Sequence, residues 1–381
     1  MIDPQSHQQL RHEISERIKS DRALLESLRE EIRPLRTQVQ RIQARTATSI
    51  SLVGTDGGNN SLQFDPFLVQ LIRVVDSSNN EYCLEAITPT TSVSRLSQVQ
   101  FKADGQAKTA LGELMYDLKV NTLPDLTHMI RLNEGGSPTS PSWVQVYREL
   151  MEWAVLYSIL KKKDFGTDTL IVADGLLRSK VFAGTLFKKY LELANKAIDQ
   201  QYRKNRRRIF LVGVAKHSKV LARYRLAMAL EGVLTTDFPA FVEVPREIEE
   251  KAYVWSEYAR GDDRELAGSE INKFVGGKMF LVKFGKGTRD PIWPIDIFLP
   301  QKDDAQAILG YLLADAIDGF PVPLYPRCLQ KAHENAALVD FDFDILQDEI
   351  FAGIRNVLGD DAPLLDSFRL QDADPAQSRY E

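Results

Sequence analysis

Two apolar runs in this chain each end in the same dipeptide. Ser-Ile-Ser-Leu-Val-Gly-Thr runs into Asp56-Gly57, and Thr-Leu-Ile-Val-Ala runs into Asp174-Gly175. A carboxylate just past a buried strand sits at a sheet edge, where ligands collect, and the glycine beside it lets an ion or a phosphate approach the backbone. Two such acids on adjacent strands can share a divalent cation, because Mg²⁺ and Mn²⁺ prefer carboxylate and water oxygens. Two ions about 3.5–4 Å apart clamp the attacking and leaving oxygens of a phosphodiester. The plain alternative for each Asp-Gly is a hairpin turn. Glu149 and Glu152 offer a third acid, three residues apart on one predicted helix. Glu152 stands among Leu150, Met151, Trp153 and Ala154, a costly place for an unpartnered charge. His333, near Arg327 and Lys331 after the Pro-rich segment 321–326, is a candidate ligand or proton shuttle, with His217 the weaker candidate.

Cations surround these acids in the sequence. Residues 203–208 carry five in six positions, including Arg206 and Arg207, and Lys216 and Lys219 follow the next strand. Lys161–Lys163, Arg178 and Lys180 border the Asp174 strand. Arg178, Lys180, Arg206, Arg207 and Lys219 are the expected contacts to a polyanion, against the plainer reading of solvated helix ends. The chain has no P-loop, GxGxxG, HExxH or GxSxG pattern.

The elements that must hold these residues are readable in outline. Strands are expected at 49–55, 67–76, 82–87, 169–173, 209–214, 278–284 and 292–298. Helices are expected at 142–163, 180–205, 303–317, 327–337 and 343–357. A β-meander followed by β/α alternation points to an α/β fold with a mixed sheet. Residues 1–46 differ: Ile14, Ile18, Asp21, Leu25, Leu28, Ile32, Leu35, Val39 and Ile42 alternate spacings of four and three, a coiled-coil seam. Pro34 should break that helix near Arg33. The segment reads either as a partner-binding or dimerising arm or as an amphipathic helix packed on its own domain. Three regions follow: a helical arm at 1–46, an α/β domain at 47–358 that carries the candidate acids, and an acidic, poorly ordered tail at 359–381.

The 381 residues carry 48 basic and 53 acidic side chains, a net charge of −5, which excludes a globally basic nucleic-acid coat. Two cysteines outside any cluster argue against a zinc site or a disulfide scaffold and suit a reducing cytoplasm. No signal peptide or membrane span is expected.

Five pieces in order resemble the NurA nucleases: Asp-Gly-Gly (56–58), Arg-Glu-Leu-Met-Glu (148–152), Leu-Ile-Val-Ala-Asp-Gly-Leu-Leu (170–177), Leu-Val-Gly-Val-Ala-Lys-His-Ser-Lys (211–219) and Pro-Leu-Tyr-Pro…Lys-Ala-His (323–333). The resemblance covers about residues 47–340. It implies an RNase H-like mixed sheet flanked by helices. It also implies Mn²⁺- or Mg²⁺-dependent DNA cleavage, 5′→3′ exonucleolytic and single-strand endonucleolytic. Homodimers would dock on a hexameric HerA-type ATPase, in DNA end processing or anti-phage defence. Asp56, Glu152 and Asp174 would be metal ligands, with Glu149 the fallback. Lys216 would contact phosphate and His333 would complete the site. The sequence departs from the family in reading Asp-Gly-Gly where Asp-Gly-Ser is more usual, and in a long Glu152-to-Asp174 interval. The rival reading is a non-catalytic DNA-binding adaptor of a hexameric ATPase.

Overall fold

The computed structural model describes residues 3–46, 50–64, 67–88, 90–140, 142–253, 273–337 and 340–363. Its elements in chain order are α1 (Pro4–Ser20), α2 (Arg22–Ile32), β1 (Gln40–Arg41), β2 (Ser51–Phe64), β3 (Phe67–Asp76), β4 (Glu81–Ile87), α3 (Val93–Val99), α4 (Ala110–Leu118), α5 (Leu123–Leu126), α6 (Trp143–Lys162), β5 (Thr169–Asp174) and α7 (Leu186–Asn205). They continue with β6 (Ile209–Val214), α8 (Lys219–Glu231), β7 (Ala240–Glu243), α9 (Arg246–Ala252), β8 (Gly277–Lys283), β9 (Ile292–Phe298), α10 (Ala305–Ala316), α11 (Arg327–Ala336) and α12 (Asp340–Leu358).

Among the described residues the strands form one nine-stranded sheet, ordered β1-β7-β8-β9-β6-β5-β2-β3-β4. β2, β3 and β4 make the antiparallel meander that the turn signals predict, and β2-β5 and β5-β6 are parallel. This meander followed by two parallel strands is the expected mixed sheet of an α/β fold. β9, β8 and β7 extend it antiparallel.

Strand alternation sends alternate residues to opposite faces. Ile171, Ile209 and Leu211 face a core built with α4, α6 and α7. Leu170, Val172, Phe210, Val212 and Val214 face a second core with α10 and α11. α6 can be buried because it is apolar nearly all round, with Tyr147, Leu150, Ala154, Val155 and Leu160 inaccessible. α11 is amphipathic, burying Cys328, Leu329, Ala332 and Ala336. It lies along β2 on glycines: a Cβ on Gly54 would strike the Cys328 carbonyl, and one on Gly58 would come within 2.5 Å of the Ala336 carbonyl oxygen.

Two expectations change. The strand beginning near residue 50 does not stop at Asp56. β2 runs on to Phe64, because β3 pairs with it along the whole length from Thr55↔Asp76 to Phe64↔Phe67. Asp56-Gly57 is therefore not a turn. The N-terminal seam is also not one helix. It is interrupted at Asp21 and ends at Ile32, and Pro34 lies in the 3₁₀ turn that follows. α2 packs on α8, with Arg29 and Arg33 both bonded to Glu231 at 2.7 and 2.8 Å. Ile32 and Leu35 are buried beside Val220, Tyr224 and Met228. The packed-helix reading holds for α2, and a coiled-coil arm is not seen. α1 buries none of its described side chains. Of the expected tail, only residues 359–363 are described.

Candidate active site

Asp56 and Asp174 become neighbours through strand register. β2 and β5 pair in parallel through Thr55↔Ala173, so the next residues, Asp56 and Asp174, stand side by side on the face covered by α11. β5 ends there. Gly175, at φ +100°, turns the chain across β6, and its N–H donates to the Val214 carbonyl at 2.8 Å. A left-handed residue at this position favours glycine.

Glu152 arrives from the opposite face. Gly57 points toward α6, and a Cβ there would lie 2.6 Å from the Glu152 Cδ. The missing side chain lets this carboxylate rise between the strands. Together with the end of β5, it opens one cavity of about 540 Å³ lined by Asp56, Glu152, Asp174, Lys216, His217 and His333. Glu149 lies instead on an adjoining space of about 270 Å³, where its Oε1 accepts from the Ser179 hydroxyl at 2.7 Å.

His333 Nδ1 stands 2.8 Å from Asp56 Oδ2; the imidazole is 67% exposed and the carboxylate 9%. Tyr325, 2% exposed, donates its hydroxyl to Asp174 Oδ1 at 3.3 Å, and Lys216 Nζ lies over the Tyr325 ring at 5.7 Å. Desolvation pushes the Glu152 carboxyl up to about 8, opposed by Arg148 and reinforced by Asp56, Glu149 and Asp174. Asp174 opens into the recess; desolvation there, then the Asp56 charge, raises its carboxyl against the pull of Lys216.

The four predicted ligands thus share a cavity, although among the described residues no three His, Cys, Asp or Glu groups are gathered closely enough to hold a metal ion. Asp56 turns to the His333 imidazole, 2.8 Å away, and Glu152 to the Arg148 guanidinium, 3.3 Å away. By donor type the set fits a hard divalent ion.

The expected DNA contacts divide. Lys216 and Lys219 are exposed on the loop after β6 and at the start of α8, at the end of the sheet where the cavity opens. Lys180 is half-buried on the loop before α7. Arg178 is a correction. Its side chain is 3% exposed, held bidentately by Asp296 at 2.7 and 2.8 Å and paired with Glu249 at 2.7 Å, so no phosphate reaches it. Its partners, at positions 249 and 296, are too distant in sequence to foresee. Arg206 and Arg207 precede β6, at the opposite end of the strand from Val214. The six residues of β6 put about 17 Å between these arginines and the cavity.

Tyr325 and Arg148 went unassigned in the sequence reading. Tyr325 was visible within Pro-Leu-Tyr-Pro, and Arg148 by its i,i+4 spacing to Glu152, which places both on one helix face.

No family model matches the chain, and no curated protein matches it. Among solved structures, the crystal structure of the NurA nuclease from Sulfolobus solfataricus is similar at 12% identity and TM-score 0.47, over 94% of this chain and 99% of that one. A crystal structure of NurA with manganese is similar at 11% identity and TM-score 0.41, over 91% and 98%. One of NurA bound to dAMP and manganese is similar at 9% and 0.40, over 89% and 94%.

Proposed function

We propose that this protein is a divalent-metal-dependent DNA nuclease. The observation that carries the reading is the convergence of Asp56, Glu152, Asp174 and His333 on one open cavity beside Lys216. These residues come from four separate elements, β2, α6, β5 and α11.

A bound Mn²⁺ or Mg²⁺ would supply Lewis acidity toward the phosphodiester. Asp56, Asp174 and Glu152 are the groups to hold it. Tyr325 orients Asp174 by donating to one oxygen, leaving the other toward the cavity. His333 orients Asp56 through Nδ1 and presents its second nitrogen to solvent, placed to take or give a proton. Lys216 neutralises phosphate at the strand end. On this reading the chain cuts DNA 5′→3′ and within single strands, works as a homodimer with a hexameric HerA-type translocase, and serves end processing or anti-phage defence.

The purified chain should degrade single-stranded DNA with Mn²⁺ and stop with EDTA. Protein that binds DNA but never cuts it, with either ion, would overturn the nuclease reading. That outcome would favour the adaptor reading.

A further inference from the structure

Arg148 is the one permanent cation that α6 brings to the carboxylates. It lies one turn before Glu152 and lines both spaces flanking the acids. Its Nε is 3.3 Å from Glu152 Oε1, an ion pair by distance, yet that buried N–H has no hydrogen-bond partner. A buried guanidinium N–H left without an acceptor is costly, and native structures normally satisfy such groups. The pair is thus poorly matched on the arginine side, which is the condition of a contact that gives way to a better one. A phosphodiester entering this cavity adds negative charge to a wall already holding three carboxylates. The permanent cations lining it are Arg148 and Lys216, supplied by α6 and by the loop after β6.

We infer that Arg148 is the substrate-phosphate grip of this site: parked on Glu152 at rest, it swings to the entering DNA phosphate and frees the Glu152 carboxylate. Arginine suits the task because its planar fork takes two phosphate oxygens at once, where lysine offers a point charge. The exchange makes Glu152 available only when substrate is present. The inference rests on the nuclease reading, and its test separates the two.

The measurement is fluorescence anisotropy of a labelled single-stranded oligonucleotide with the full chain in EDTA, across a salt series. Arg148→Gln should weaken binding about tenfold, the loss of one charged contact, and flatten the salt slope by about one. Arg148→Lys should keep the slope and lose part of the affinity. Arg148→Gln with wild-type affinity and slope would show that Arg148 only neutralises Glu152, and would overturn the inference. Absence of wild-type binding in EDTA overturns it too, since the grip precedes the metal. If Arg148→Gln fails to fold by circular dichroism, Arg148→Lys decides, and affinity equal to wild type then counts against the grip. A wild-type chain that binds but never cuts with Mn²⁺ sinks the nuclease reading alone.

Discussion

The two ends of β5 and β6 carry opposite chemistry. At their C-terminal ends lie Asp174, Gly175, Lys216 and His217, open to a cavity. At their N-terminal ends lie the cations of 203–208, and several are already engaged. Arg208 bonds Asp304 at 2.9 Å, Lys204 pairs with Asp164 at 3.4 Å, and Arg206 stacks over Tyr202 at 5.7 Å. Ligands of open α/β sheets collect beyond the carboxyl ends of strands, where chain crossings leave a crevice. The densest run of charge in the sequence therefore lies at the end without the site. If the cavity takes a polyanion as proposed, strand direction marks its place better than local charge density does.

The largest effect that would sharpen this contrast is at the acids. Asp56→Ala or Asp174→Ala should lower Mn²⁺-dependent cleavage by about a hundredfold or more, since even groups that only orient metal ligands cost about 10–100-fold; near-normal cleavage by either variant would dissolve the site. Next comes Gly57→Ala, which adds a methyl where Glu152 now lies. It should reduce cleavage while leaving far-ultraviolet circular dichroism unchanged, and full activity would show that Glu152 need not pass between the strands. Lys216→Ala should weaken DNA binding and lower the salt slope by about one. Arg206→Ala with Arg207→Ala should leave cleavage kinetics near wild type, because about 17 Å of strand exceeds the screening length of about 10 Å at 0.1 M salt. Equal losses from both sets would break the comparison.

The smallest effect concerns charges used for stability. Arg33 and then Arg29 hold the Glu231 carboxyl down at about 2, below its ordinary 4.5. A depressed carboxyl stabilises the fold above its unfolded value, so this contribution is complete above about pH 4.5 and is lost as pH falls toward 2. Thermal melts of Glu231→Gln should therefore converge with wild type across that window and lie below it at pH 7; a constant offset would refute the linkage.

How far the site was legible is clearest in particular residues. The strand ending at Asp174 was readable from its β-branched run and the following glycine. The same local signal at Asp56 misled about the strand's end, because nothing within β2 announces that β3 will pair along its whole length. Arg178 looked like a loop cation until Asp296 and Glu249 closed on it. The heptad spacing of residues 14–42 was real, but its α2 part pointed at α8 of the same chain.

By itself the sequence determined the meander, the strands β5, β6, β8 and β9, the helices near α6, α7, α10, α11 and α12, the helix end near Pro34 and the short roster of acids, since periodicity, glycine, proline and turn chemistry act over a few residues; it did not announce β1, β7, α3, α4, α5, α8 or α9. Which acids meet, which cations are buried and which face Glu152 enters from were decided only by tertiary structure. Those outcomes depend on the register of β2 with β5 and on helices closing over glycines, contacts between residues a hundred or more positions apart that no local pattern encodes.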